Sequence, residues 1–111
     1  MSYDSMMAVR DFESDNNILD KQGRLFLANV TAFVNETAVF CGNVDCAFSY
    51  NVAYSQYEIS IDWLLSESEL RRKGLHMGYN TNFQNFCYNG DNLTIVDNNT
   101  EIIVSFVSCD S

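Results

Sequence analysis

The chain contains no proline, only two lysines, four arginines, one histidine and one tryptophan in 111 residues. Each shortage removes a class of protein. Without Pro there is no Pro-rich linker to divide the chain, and no internal repeat stands in for one. The scarcity of Lys and Arg argues against a nucleic-acid-binding surface, which needs a basic patch. No Gly-rich phosphate loop or dinucleotide fingerprint occurs. No apolar run reaches the ~18–20 residues of a membrane-spanning helix. The first eleven residues, Met1 to Asp11, lack a basic stretch followed by an apolar one, so no signal peptide is read there. The expectation is a cytoplasmic protein, in the host cytoplasm if phage-encoded.

What is abundant is acid. Fifteen Asp and Glu stand against six Lys and Arg, for a formal net charge of −9. The bases are confined to Arg10, Lys21 and Arg24 and then to Arg71, Arg72 and Lys73; none lies between Leu25 and Leu70 or after Leu75. Asn occurs 13 times and Lys twice, although AT-rich codons would raise both, so positive charge is disfavoured on this surface. A negative surface repels nucleic acid and anionic membrane and speeds encounter with basic partners. Solubility alone is the plainer explanation of the same charge.

Eight Phe and six Tyr among 111 residues supply enough apolar area for one compact domain. The four cysteines, Cys41, Cys46, Cys87 and Cys109, permit two disulfides in three pairings. Asn-x-Ser/Thr triplets begin at Asn29, Asn35, Asn92 and Asn98. Disulfides with N-glycans would describe a secreted or surface β domain. Free thiols fit better, because Cys46 falls on the apolar face of a strand, where a thiol acts as a small hydrophobe.

The segment 1–23 is polar and irregular, with Asp4 able to cap a short helix that Asp15-Asn16-Asn17 ends. A mobile arm closed by Gly23 fits equally. Leu25–Val34 is apolar on both faces, as in a covered central strand. Asn35-Glu36-Thr37 is a turn, Ala38–Cys41 a short return strand and Gly42-Asn43 a second turn. Cys46–Tyr54 then alternates by twos, as does Tyr57–Trp63, whose polar face carries Gln56, Glu58, Ser60 and Asp62. Ser66-Glu67-Ser68-Glu69 is a capping box, Arg71 to Lys73 suit a helix C-terminus, and Gly74 is its left-handed stop. Irregular chain follows to Asn82. Phe83–Tyr88 and Asn92–Asp97 flank Asn89-Gly90, a type I′ hairpin signal. After Asp97-Asn98-Asn99, Glu101–Cys109 is a last covered strand. The sum is an α+β fold: a mostly antiparallel sheet of about five to six strands, one short helix at 66–74 and a partly helical or irregular N-terminal arm. A β-sandwich or small barrel is the alternative.

Candidate chemistry is thin. His76 and Cys87 with Asn85 or Asp91 would need a nucleophile–base geometry that nothing in the spacing enforces. Cys41 and Cys46 with His76 and Cys87 lack the two tight ligand pairs of structural zinc sites. Glu58 and Asp62 stand about 13 Å apart along a strand, too far for the usual glycosidase carboxylates. No enzyme, cofactor or metal is therefore read. Glu58 and Asp62, Glu67 and Glu69, and Asp91, Asp97 and Glu101 sit at expected exposed positions. Together they suggest an acidic surface that would occupy a Lys/Arg groove on a larger protein, itself built for nucleic acid. Inhibitors of nucleases, restriction and CRISPR complexes, and immunity proteins of phage and bacteria, use such DNA-like charge. Tyr57, Trp63, Tyr79 and Tyr88 are candidate aromatic anchors. A virion or assembly component is a third reading, and a homodimer is compatible with all of them.

Overall fold

A computed structural model describes residues 2–19 and 25–109; Gly23, Lys21 and Arg24 lie outside them. The elements are α1 (Ser2–Asp15), β1 (Phe26–Val34), β2 (Thr37–Asn51), β3 (Gln56–Ile61), α2 (Glu67–Lys73), β4 (Gly78–Asn80), β5 (Asn85–Tyr88), β6 (Asn92–Asp97) and β7 (Thr100–Cys109). All strand pairs are antiparallel, in the order β4-β3-β2-β1-β7-β6-β5. The fold is thus α+β, with a seven-stranded sheet curled into a half-barrel.

The curl follows from connectivity. β1 is central, and a meander descends from it on either side, so β4 and β5 are opposite edges of the sheet. They are nevertheless consecutive in sequence, joined by residues 81–84. In a flat sheet the two edges would be about 29 Å apart. The five residue steps from Asn80 to Asn85 reach at most about 18 Å. The edges must approach one another. Register shifts at Ala32/Phe33 and Leu27/Ala28 add bend and twist to the central strand.

The inner face holds the core: Phe26, Ala28 and Val30 of β1, Phe48 of β2, Ile59 and Ile61 of β3, Leu93 and Ile95 of β6, and Ile102 and Val104 of β7. α1 plugs the open side. Ser5, Ala8, Val9 and Phe12, spaced 3, 4 and 7 from the first, form one helical stripe and are all buried. Phe12 meets the rings of Phe26, Phe48, Tyr88 and Phe106 at centroid distances of 5.6–6.5 Å. Ser5 Oγ accepts from the Phe86 amide at 2.9 Å, satisfying a donor on the β5 edge. Left-handed Asn17 ends the helix, with the Ile18 amide donating to Glu13 O at 2.7 Å and Ile18 itself buried. The expected short helix therefore forms and ends at Asp15 as read, but it begins at Ser2, with Asp4 in its first turn, and its buried stripe includes Ser5 and Ala8, neither strongly apolar.

The α2 reading holds in detail. Ser66 and Glu69 form the reciprocal capping box, and Gly74 adopts φ 80°. Elsewhere tertiary pairing overrides local turn signals. No turn forms at Gly42-Asn43: β2 runs straight through, with Gly42 opposite Val30 and Asn43 opposite Asn29. At its far end β2 stops at Asn51, and the turn 52–55 leaves Val52 and Tyr54 exposed off the strand. Among the residues of the Asn89-Gly90 connection only Gly90 has positive φ. The Asn89 carboxamide oxygen accepts from the amides of Asp91 and Asn92 at 2.8 and 2.7 Å, closing a longer loop in place of the two-residue type I′ turn. β4 is a strand where irregular chain was expected, formed because Gly78, Tyr79 and Asn80 pair with β3.

Candidate protein-binding surface

Period-two alternation turns Tyr57, Ile59 and Ile61 inward, so Glu58 and Ser60, and Asp62 beyond the strand end, fall on the outer face. The β2–β3 register sets Ala47 opposite Ser60 and Cys46 opposite Ile61. The Asp62 amide then donates to Asp45 O at 2.9 Å, which brings Asp45 beside Asp62. On the other side, Glu58 lies against Gly78 of β4, where an added Cβ would stand 3.1 Å from Glu58 Oε2. These three carboxylates line a groove of about 340 Å³, with Leu25 and Met77 at its rim.

The groove is electrostatically one-sided. Among the described residues no Lys or Arg lines it, and the one ion pair is Glu67–Arg71, at 2.9 Å on α2. Asp45 and Asp62 act on a common neighbour. Burial, and then these two carboxylates, push the Cys46 thiol up to about 12. Asp62 Oδ1 also accepts from the Leu64 amide at 3.3 Å. Leu64 has φ 58° and is 77% exposed. A leucine in the left-handed region costs of order 1 kcal/mol or more, and here that conformation displays a large apolar side chain in water. Leu25 and Met77 are likewise exposed.

The other expected acidic residues do not line this groove. Glu67 pairs with Arg71, and Glu69 is held by Ser66, whose backbone and side-chain hydrogen bonds lower its pKa. Lys73, at the end of α2, donates to Val39 O, and Val39 is six residues along β2 from Asp45, about 20 Å. Asp91 belongs to the β5–β6 edge, where it gathers with Asp11 and Asp15 around Tyr88. There burial, and then the hydrogen bond and charge of Asp15, push the phenol up to about 12. Asp97 accepts from Gln84 at 3.3 Å. Glu101 lines a separate cavity of about 630 Å³ with Glu36, between the β1–β2 and β6–β7 turns. Those turns are stitched by Asn35 N–H to Asn99 O and Asn99 Nδ2 to Asn35 Oδ1, both 2.9 Å. Of the seven expected carboxylates, Glu58 and Asp62 line this groove, Glu101 lines the separate cavity, and Glu67, Glu69, Asp91 and Asp97 line neither.

Asp45 was not among the expected site residues. Its signal was present in the alternation Val44-Asp45-Cys46, and it becomes legible once β2 is read as one strand reaching back to Thr37. Among the proposed anchors, Trp63 and Tyr79 are spent on structure. Trp63 Nε1 donates to His76 O at 2.7 Å, Tyr79 Oη accepts from the His76 amide at 2.8 Å, and both rings are buried.

The cysteines are free. Cys41 is exposed on one face of β2 while Cys46 is buried on the other, and Cys87 lies on β5, four strands from β2. Among the described residues no three His, Cys, Asp or Glu are grouped to hold a metal ion, and no helix is long and apolar enough to cross a membrane. No family model, curated protein or solved structure matches the chain.

Proposed function

We propose that this protein is a non-enzymatic binding protein of the inhibitor or immunity type, which docks its β3 face on a basic surface of a larger protein. The carrying observation is the convergence of Asp45, Glu58 and Asp62 on one groove that no Lys or Arg among the described residues lines. No cation among the described residues offsets these three carboxylates, so the groove gains from Lys or Arg side chains brought against it. Long-range attraction from a net charge of −9 raises the encounter rate. Charge at a rim supplies less retained affinity than steering. That part falls to the exposed apolar groups alongside, Leu25, Met77 and Leu64. A partner surface evolved for phosphate, such as a nuclease groove, has the required complementarity.

The test is a triple variant, Asp45→Lys, Glu58→Lys and Asp62→Lys, used beside the native protein as bait in lysate from the source organism at low and high salt. All three side chains are exposed, so the circular dichroism spectrum should be unchanged. The native bait should retain a partner that high salt releases and that the variant fails to capture. A partner held equally by both baits would sink the reading.

A further inference from the structure

A second cavity, of about 330 Å³, opens between α1 and the β2–β3 hairpin and is lined by Met6, Arg10, Glu13, Leu19, Tyr50 and Tyr57. It lies on the inner side of β3, opposite the acidic groove, because Tyr57 and Glu58 point to different faces. Glu13 is only 3% exposed, and its Oε1 has no hydrogen-bond partner among the described residues. An unpaired buried carboxyl is costly, and native proteins rarely keep one without a use.

The obvious partner is near and is not taken. Arg10 precedes Glu13 by three residues, a spacing at which opposite charges commonly pair on a helix. Instead Arg10 Nη1 donates to the Tyr57 hydroxyl at 3.2 Å, and no Arg10–Glu13 ion pair forms. One cavity wall thus carries a cation and an acid with no ion pair between them. The facing wall is aromatic, with the Tyr50 and Tyr57 rings 4.8 Å apart at 55°. Met6 and Leu19 complete it with apolar surface.

We propose that this cavity binds a free α-amino acid with an apolar side chain. Its ammonium group would meet the Glu13 carboxylate, its carboxylate the guanidinium of Arg10, and its side chain Tyr50, Met6 and Leu19. A simple carboxylate would satisfy Arg10 and leave Glu13 unpartnered. A simple amine would satisfy Glu13 and face the charge of Arg10. A zwitterion answers both. The volume lies at the lower end of the ~300–1,000 Å³ typical of ligand sites, which suits one amino acid and not a nucleotide or a long peptide. The carboxyl is pushed up to about 7 by burial, against the lowering influence of Arg10. An incoming ammonium would favour its ionised form.

The experiment is an NMR titration of the isotope-labelled full chain near neutral pH, with L-leucine and L-phenylalanine each raised into the millimolar range. Saturable shifts should appear at the amides of Arg10, Glu13, Tyr50 and Tyr57. They should be absent with isocaproate, which lacks the ammonium group, and with leucinamide, which lacks the carboxylate. Glu13→Gln and, separately, Arg10→Gln should each weaken binding roughly tenfold or more. Arg10 is exposed, so its variant keeps the test open should the Glu13 variant fold poorly. No saturable shift at these residues with either amino acid would overturn the proposal and leave water as the occupant. Equal shifts from isocaproate or leucinamide would overturn it too.

Discussion

Replacing Glu13 by Gln should make stability less dependent on pH. Glu13 is buried, and its pKa is raised from 4.5 to about 7, chiefly by desolvation and against the favourable charge of Arg10. A carboxyl whose folded value lies above its unfolded value is stabilising below the unfolded value, where both states hold the proton. As pH rises from 4.5 towards 7 the unfolded chain releases that proton more readily than the folded one, and the contribution is lost. Between about pH 5 and about pH 8 the loss amounts to ~2.5 kcal/mol at most. Solvent reaching the carboxyl through the cavity brings the expected figure to about 1–2 kcal/mol. Urea unfolding of native protein and Glu13→Gln at both pH values supplies the measurement. The difference of differences cancels the titration of every other acid and any fixed cost of the buried carboxamide. The variant should gain on the native protein as pH rises. A stability difference that stays constant with pH would show that Glu13 is solvated or paired, and would refute the argument from burial.

Phe12→Ala should cost about 3–5 kcal/mol, because it empties the point where α1 meets four rings of the sheet. Small domains hold only ~5–15 kcal/mol in total, so the denaturant midpoint should fall steeply, and a small change would mean that α1 is not part of the cooperative core. In native protein, alkylation followed by mass spectrometry should modify exposed Cys41 and Cys87 rapidly and spare Cys46, which is buried with its thiol pushed up to about 12. Labelling of Cys46 as fast as Cys41 would contradict the inward face assigned to β2.

How much of this was legible in advance depends on the range of the physics involved. The Ser66–Gly74 helix could be read residue by residue because each signal acts within one turn: the cap, the dipole-matched charges, the left-handed glycine. Glu58 and Asp62 were placed correctly on one face because period-two alternation is equally local. Gly42-Asn43 misled for the converse reason. Its turn propensity is worth less than the ladder it interrupts, and β1 is paired across it. α1 was underread because its buried stripe contains Ser5 and Glu13, and the use of each is visible only where the chain returns: Ser5 on the Phe86 amide, Glu13 against Tyr50 and Tyr57.

The antiparallel β-rich class, the capped helix, the acidic balance and the face on which each β3 residue stands can all be read from residue order alone. These follow from steric period, capping chemistry and charge count, which need no distant partner. Which carboxylates share a surface depends instead on how the strands assemble. A strand's outward residues meet those of whichever strand lies beside it, and strand order is set by chain return and burial. That order put Asp45 with Glu58 and Asp62, moved Asp91 and Glu101 to other surfaces, and left Glu13 buried beside an arginine that turns towards Tyr57.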